Sequence, residues 1–219
     1  MKNTIHLKPR FCFTFILAAL FTNFAVYSQT KDSRNNPNLD KQVKEFLNSK
    51  KNQWHDLNVP ESDGQLLYDI IIKNNYKSAV EIGTSTGHSG IWIAWALSKT
   101  GGKLITIEID ASRFKEALEN FKKAGLSEYI DARLADAHEL VPALKGYFDF
   151  VFSDADKSWY INYFKDMDPK LIAGGCFVTH NVSRNNNYSF YEYVSKLTNY
   201  KTSLDTNGAG VAISYKTGK

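Results

Sequence analysis

From residue 78 onward the chain alternates short apolar runs with longer stretches in which apolar residues recur every three or four positions. The short runs, Ser78–Ile82, Lys103–Ile109, Ile130–Leu134, Phe148–Ser153, Cys176–Thr179, Lys201–Leu204 and Gly210–Tyr215, have the length and composition of strands. Between the earlier ones the helical period marks Ser89–Leu97, Ala111–Ala124, Ala137–Leu144, Trp159–Met167 and Tyr188–Leu197. Two further helices are predicted ahead of them. One covers Asp40–Asn52, with Val43, Phe46 and Leu47 on one face; the other begins near Ser62 and carries Leu66, Leu67, Ile70, Ile71 and Ile72. Strands alternating with helix-length segments mean βαβ units and a mostly parallel sheet covered on both faces. The last two strands are separated only by Thr206-Asn207-Gly208-Ala209, too short for a crossover. They must form a C-terminal antiparallel hairpin. The expectation is an α/β fold built on a doubly wound, Rossmann-like, seven-stranded sheet.

The first residues break this pattern. Lys2, Lys8 and Arg10 lead into Phe11-Cys12-Phe13-Thr14-Phe15-Ile16-Leu17-Ala18-Ala19-Leu20-Phe21, and a polar stretch begins at Gln29. A basic start, a short apolar centre and small or apolar residues at Val26 and Ser28 describe a signal peptide over 1–28. The run is short for a membrane span and is interrupted by Thr14, Thr22 and Asn23. Export, to a periplasm or out of the cell, is therefore expected, with no stable span after cleavage; a membrane anchor formed by an uncleaved N-terminus is the alternative. Residues 29–55 read as a polar linker and N-terminal helix, and 56–219 as the main domain. Cleavage leaves 24 basic against 23 acidic side chains, a net of +1, which is no electrostatic footprint for nucleic acid. Cys176 would be the one cysteine left, so the fold cannot depend on an internal disulfide.

In a doubly wound sheet the ligand sits at the carboxyl ends of the strands. There the sequence reads Val80-Glu81-Ile82-Gly83-Thr84-Ser85-Thr86-Gly87-His88-Ser89-Gly90, a strand entering a glycine turn and then a helix. Gly83 permits a sharp turn, and the helix start at Ser89 presents amides to an anion. An ordinary βα loop would carry two such glycines as readily. The tip of the second strand carries Glu108, and an ionised acid there suits ribose hydroxyls. Asp110 reads instead as the cap of the next helix. Ser85 stands where the dinucleotide fingerprint needs glycine, which disfavours a nicotinamide oxidoreductase.

From about Pro60 to Tyr215 the sequence resembles the small cation-dependent O-methyltransferases, the group of catechol and caffeoyl-CoA O-methyltransferases. The resemblance rests on Asp63-Gly64-Gln65, Val80-Glu81-Ile82-Gly83, Leu104-Ile105-Thr106-Ile107-Glu108, Ser153-Asp154-Ala155-Asp156-Lys157 and the Ala173-Gly174-Gly175 turn. It implies S-adenosyl-L-methionine as methyl donor and a small phenolic or diol acceptor. Glu81 and Gly83 would line the methionine end, with Ser89 on its carboxylate. Glu108 would hold the ribose, and Asp136, Ala137 and His138 would border the adenine. Asp154 would border the cofactor and ligate a divalent metal ion together with His180 and Asn181. Lys157 would be the general base.

One residue departs from the family pattern, which has Asp-Asn where this chain has His180-Asn181. Imidazole for carboxylate favours manganese, zinc, iron or cobalt over magnesium. Without the neighbouring Asp154 and Lys157, the pair would read as polar loop residues. Trp159 and Tyr160 are candidates either for the acceptor pocket or for helix packing. Arg184-Asn185-Asn186-Asn187 is shorter than the substrate loop expected of the CoA-ester enzymes. An exported, non-catalytic binding protein on the same fold is the competing expectation, because the methyl donor is made in the cytosol. The sequence leaves a homodimer open.

Overall fold

The computed structural model describes Met1, residues 36–54 and residues 57–218. The chain divides into two units, Met1–Lys31 and Asp32–Lys219, and all described elements lie in the second. Apart from Met1, the expected signal peptide lies outside the described residues.

Seven strands form one sheet: β1 Ser78–Ile82, β2 Lys103–Glu108, β3 Ile130–Leu134, β4 Phe148–Ser153, β5 Leu171–His180, β6 Tyr200–Asp205 and β7 Val211–Lys216. Their order is β3-β2-β1-β4-β5-β7-β6. β1 to β5 pair in parallel, while β7 runs antiparallel to both β5 and β6. This is the mostly parallel sheet with a terminal reversed hairpin that the hydrophobic pattern predicts.

The helices are α1 Pro37–Ser49, α2 Glu61–Asn74, α3 His88–Thr100, α4 Ala111–Lys123, α5 Ala137–Ala143, α6 Tyr160–Met167 and α7 Tyr188–Ser195. Successive strand residues point to opposite faces, so each strand feeds two cores. Val80, Ile82, Val151 and Phe177 pack beneath α5, α6 and α7 with Tyr163, Phe164 and Phe190. Ala79, Phe150, Phe152 and Val178 pack beneath α2 and α3 with Leu67, Ile71 and Ile93. A third cluster seats Leu39, Val43 and Phe46 of α1 against Trp92 and Trp95 of α3 and Phe121 of α4. Because α3 is covered by the sheet, α1, α2 and α4, almost every one of its residues is buried.

Two boundaries differ from expectation for visible reasons. Helix α1 begins three residues early because the Asn36 side chain caps it, accepting from the Leu39 amide at 3.3 Å, and Pro37 occupies the first turn. Strand β5 begins at Leu171 rather than Cys176. The Ala173-Gly174-Gly175 turn is an irregularity inside a longer strand: pairing shifts between Phe148–Leu171 and Phe150–Cys176, with Gly174 at φ +82°. Among the described residues no helix is long and apolar enough to cross a membrane.

Candidate active site

Since β1 to β5 are parallel, their carboxyl ends meet at one edge, and the loops leaving them enclose a cavity of about 620 Å³. Gly83, Ser89, Glu108, Asp136, Ala137, His138, Asp154, Lys157, His180 and Asn181 all line it. Glu81 does not; it lies buried beneath the glycine turn.

Backbone geometry builds the turn after β1. Gly83 has φ +98°, and a Cβ there would come within 2.8 Å of the Asp154 carbonyl oxygen. The Gly83 and Thr84 amides both donate to Ile107 O, and the Asp154 amide donates to Ile82 O at 2.9 Å. The tips of β2, β1 and β4 are thereby stitched together. Gly87, at φ +96°, then opens α3.

Glu108 is a preorganised acceptor. Its Oε2 accepts from the Ser85 amide at 2.7 Å, and its Oε1 accepts from the Ile109 and Asp110 amides at 3.1 and 2.9 Å. A carboxylate offers about four lone-pair positions, so these three bonds leave Oε2 able to accept another. Asp110 caps α4 through the Ser112 and Arg113 amides, as its position implied.

Glu81 accepts from the hydroxyls of Thr106, at 2.5 Å, and Ser89. Burial pushes its pKa up to about 8, outweighing those two bonds, so it is largely protonated at neutral pH. Its carboxyl group supports the loop from below, and the Ser89 hydroxyl is turned toward it.

Along the β3 side, Asp136 caps α5 by accepting from the His138 amide at 2.8 Å. The His138 ring lies between Asp136 and Asp156, 3.8 and 3.4 Å away, and packs on Trp159 and Tyr163 at centroid distances of 4.5 and 5.7 Å. Bonds from Ser158, then the charge of His138, hold Asp156 below the usual carboxylate range. Neither Trp159 nor Tyr160 lines the cavity; Tyr163, one turn further on, does.

The remaining end gathers Asp154, Lys157, His180 and Asn181. Lys157 stands exposed on the 3-10 turn Lys157–Trp159 directly after β4, whereas His180 ends β5 and is buried. His180 Nε2 hydrogen-bonds to Asp63 Oδ2 at 2.9 Å. Its Nδ1 lies 3.1 Å from Asp154 Oδ2, an ion-pair contact when the ring is charged, and makes no aligned hydrogen bond among the described residues. Burial opposes a charge on the ring, yet the two flanking carboxylates, Asp154 and Asp63, prevail and raise its pKa to about 9. Burial likewise pushes Asp63 up, and the bonds from His180 and the Ala209 amide more than offset it, leaving its pKa lowered. Among the described residues no three His, Cys, Asp or Glu side chains form a metal-holding group; Asn181 lines the cavity beside His180.

Sequence reasoning missed Asn58 and Arg113 and took Asn186 only as part of a short polar segment; all three line the cavity. Arg113 sits in the first turn of α4, where its amide donates to the capping Asp110 at 2.9 Å. Asn58 reaches Thr86 Oγ1 at 2.8 Å from a loop with no helical or strand pattern to mark it.

The sequence matches the family described as O-methyltransferase over residues 30–188. It is 32% identical to caffeoyl-CoA O-methyltransferase 2 of Eucalyptus globulus over 164 residues, covering 72% of this chain. The chain spans 66% of the length of that relative. It is 35% identical to a catechol O-methyltransferase of Niastella koreensis over 132 residues, 58% of this chain and 59% of that protein. The fold resembles the O-methyltransferase of Bacillus cereus in complex with SAH, with TM-score 0.69 and 22% identity over 84% of this chain and 92% of that one. It also resembles the SAH-bound methyltransferase of Podospora anserina, with TM-score 0.67 and 17% identity over 84% and 89% of the two chains.

Proposed function

The chain belongs to the O-methyltransferase family, and from that premise we propose that it transfers a methyl group from S-adenosylmethionine to a hydroxyl of a small phenolic or catechol-like acceptor. One observation carries the reading: a single cavity of about 620 Å³ joins the Glu108 tip of β2 to the Asp154–Lys157 turn after β4. That volume is ordinary for a small-molecule site. Because β1 lies between β2 and β4, the two tips are two strand spacings, roughly 10 Å, apart. A nucleoside at one end thus leaves room for an acceptor at the other.

The residues fit the methyl donor. Glu108 keeps accepting capacity for a ribose hydroxyl, Ile107, Ile109 and Ala135 supply apolar walls, and α3 turns its positive end toward the cavity at Ser89. The two structural neighbours that carry SAH share this fold. When bound, the donor supplies a sulfonium methyl whose S–C bond breaks as the acceptor oxygen's electron pair forms the new O–C bond. Lys157, as its uncharged amine, takes the hydroxyl proton on Nζ. Asn186 and Tyr163 border the same space and limit which acceptors enter.

A divalent ion would be held by Asp154, His180 and Asn181. The buried, unpartnered Nδ1 of His180, 3.1 Å from Asp154 Oδ2, is the observation that favours a fit. Such an ion would act as a Lewis acid that lowers the pKa of the acceptor hydroxyl, which near 10 is otherwise protonated at neutral pH. The short Arg184–Asn187 segment argues for a small acceptor over a CoA ester.

Calorimetric titration with SAH, followed by radiolabelled methyl transfer to a panel of catechols and phenols with Mg, Mn, Zn and Co, tests the proposal. No SAH binding would remove it. SAH binding with no rate above that of Lys157→Ala would leave a non-catalytic binding protein. Export rests on residues 1–28 alone, and N-terminal sequencing of the mature chain tests it, with Gln29 the expected first residue.

A further inference from the structure

The His180 ring has two carboxylates to choose between, and the structure treats them differently. Toward Asp63 it makes an aligned hydrogen bond of 2.9 Å. Toward Asp154 it makes only a close, misaligned approach of 3.1 Å, leaving Nδ1 unpartnered in a ring whose side chain is 4% exposed. An ion held between Nδ1 and Asp154 would take the place of a proton on Nδ1. Two donors sharing a central ion need not align, because each points at the ion and not at the other. For ligand bonds of about 2.1 Å at right angles, the two donor atoms would stand about 3.0 Å apart.

Asp63 is built to hold its side of this arrangement. It comes from α2, 117 residues earlier in the chain, and is buried. Its Oδ2 accepts from the Ala209 amide at 3.1 Å, and its Oδ1 accepts from the Ser62 hydroxyl at 3.2 Å. Gly208 packs so closely on the carboxylate that a Cβ there would overlap it. The carboxylate is thus clamped between the start of α2 and the β6–β7 loop, with the free side of Oδ2 facing His180.

We propose that Asp63 is a positioning residue that fixes His180 with its Nε2–H on the Asp63 carboxylate and its Nδ1 toward Asp154, giving this site a nitrogen-containing donor set that selects a transition ion such as cobalt, zinc or manganese over magnesium. The inference rests on the metal-assisted reading above and adds to it the residue that sets metal preference. A carboxylate on the remote nitrogen of a ligating histidine fixes its tautomer and raises its basicity, and losing it weakens metal binding about 10–100-fold. Magnesium, by contrast, demands oxygen donors in near-ideal octahedral geometry.

The test uses the full chain and reads metal binding directly. Wild-type protein is titrated with Co²⁺ alone, following the ligand-field absorption bands, and competed with Mg²⁺; SAH affinity is measured in parallel. The expected result is saturable Co²⁺ binding that excess Mg²⁺ does not displace, weakened about 10–100-fold in Asp63→Asn with SAH affinity unchanged. In His180→Asp, Mg²⁺ should compete effectively with Co²⁺. Absence of Co²⁺ binding in the wild type, equal competition by Mg²⁺, or an Asp63→Asn variant that binds Co²⁺ like the wild type would each overturn the inference. If Asp63→Asn loses SAH binding through misfolding, His180→Asp decides: unchanged preference for Co²⁺ overturns it. Failure of the wild type to bind SAH would instead strike the methyltransferase reading, whatever the metal result.

Discussion

The Ser85 backbone amide donates to Glu108 Oε2 at 2.7 Å, so the turn after β1 is organised by the acid that ends β2. Ser85 sits at φ +48°, a conformation that residues other than glycine adopt at some cost, and this bond helps hold it there. One carboxylate therefore both shapes the loop and faces the cavity. Glu108→Gln keeps the shape of the group but places an amide where backbone N–H groups need an acceptor. Hydrogen bonds to charged groups contribute about 1.5–3 kcal/mol, so SAH should bind roughly 10–100-fold more weakly. Calorimetry checks this, and an affinity within a factor of about three of wild type would remove Glu108 from the nucleoside site.

Lys157 lies on the 3-10 turn that follows β4, in the same cavity as Glu108. Lys157→Ala is expected to lower the methyl-transfer rate about 10²–10⁴-fold, the usual contribution of a general base, while leaving SAH affinity unchanged. Lys157→Arg should not restore the rate, because a guanidinium does not give up its proton. A rate in Lys157→Ala within about tenfold of wild type would assign the proton to another acceptor.

Gly83 is required twice over, by its positive φ and by the Asp154 carbonyl that a Cβ would approach at 2.8 Å. Gly83→Ala should cost about 2–4 kcal/mol through backbone strain and the forced separation of the β1 and β4 loops. Gly101→Ala makes a useful contrast: it carries φ +78° with nothing within 4 Å of the added Cβ, so only the strain should appear. Equal losses in denaturant unfolding would mean that the packing against Asp154 contributes nothing.

Much of this was legible in the sequence because doubly buried strands leave continuous apolar runs. Ser78–Ile82, Ile130–Leu134 and Phe148–Ser153 begin and end where the pattern places them. The beginning of β5 was hidden because Ile172, Ala173 and Gly174 are exposed, and an exposed strand end has no buried face to read. At the site, the loops after five strands could be assembled once the sheet was recognised, since parallel strands bring all their carboxyl ends to one edge. What sequence could not supply was depth. Glu81 and Glu108 both read as acids at strand tips, yet one lies under the loop and the other faces the cavity. The Asp63–His180 pairing joins residues 117 positions apart and leaves no local trace.

Glu81 should make the fold sensitive to alkali. Its carboxyl group is fully buried, and burial raises its pKa from an ordinary 4.5 to about 8. Between those two values the folded chain holds a proton that the unfolded chain has released, so stability falls as pH rises, by up to about 1.4 kcal/mol per unit, and levels off above the folded value. His180 acts in the same direction, but only above its ordinary value of 6.5 and until about 9. The interval from pH 5 to 6.5 therefore reports Glu81 without His180. Glu81→Gln keeps an acceptor for Thr106 and Ser89 and removes the titration. The expected outcome is that the difference in unfolding free energy between wild type and Glu81→Gln shifts steadily in favour of the variant across that interval and on to about pH 8. Denaturant unfolding at a series of pH values checks it, and parallel curves for the two proteins would mean that Glu81 is ionised in the folded chain.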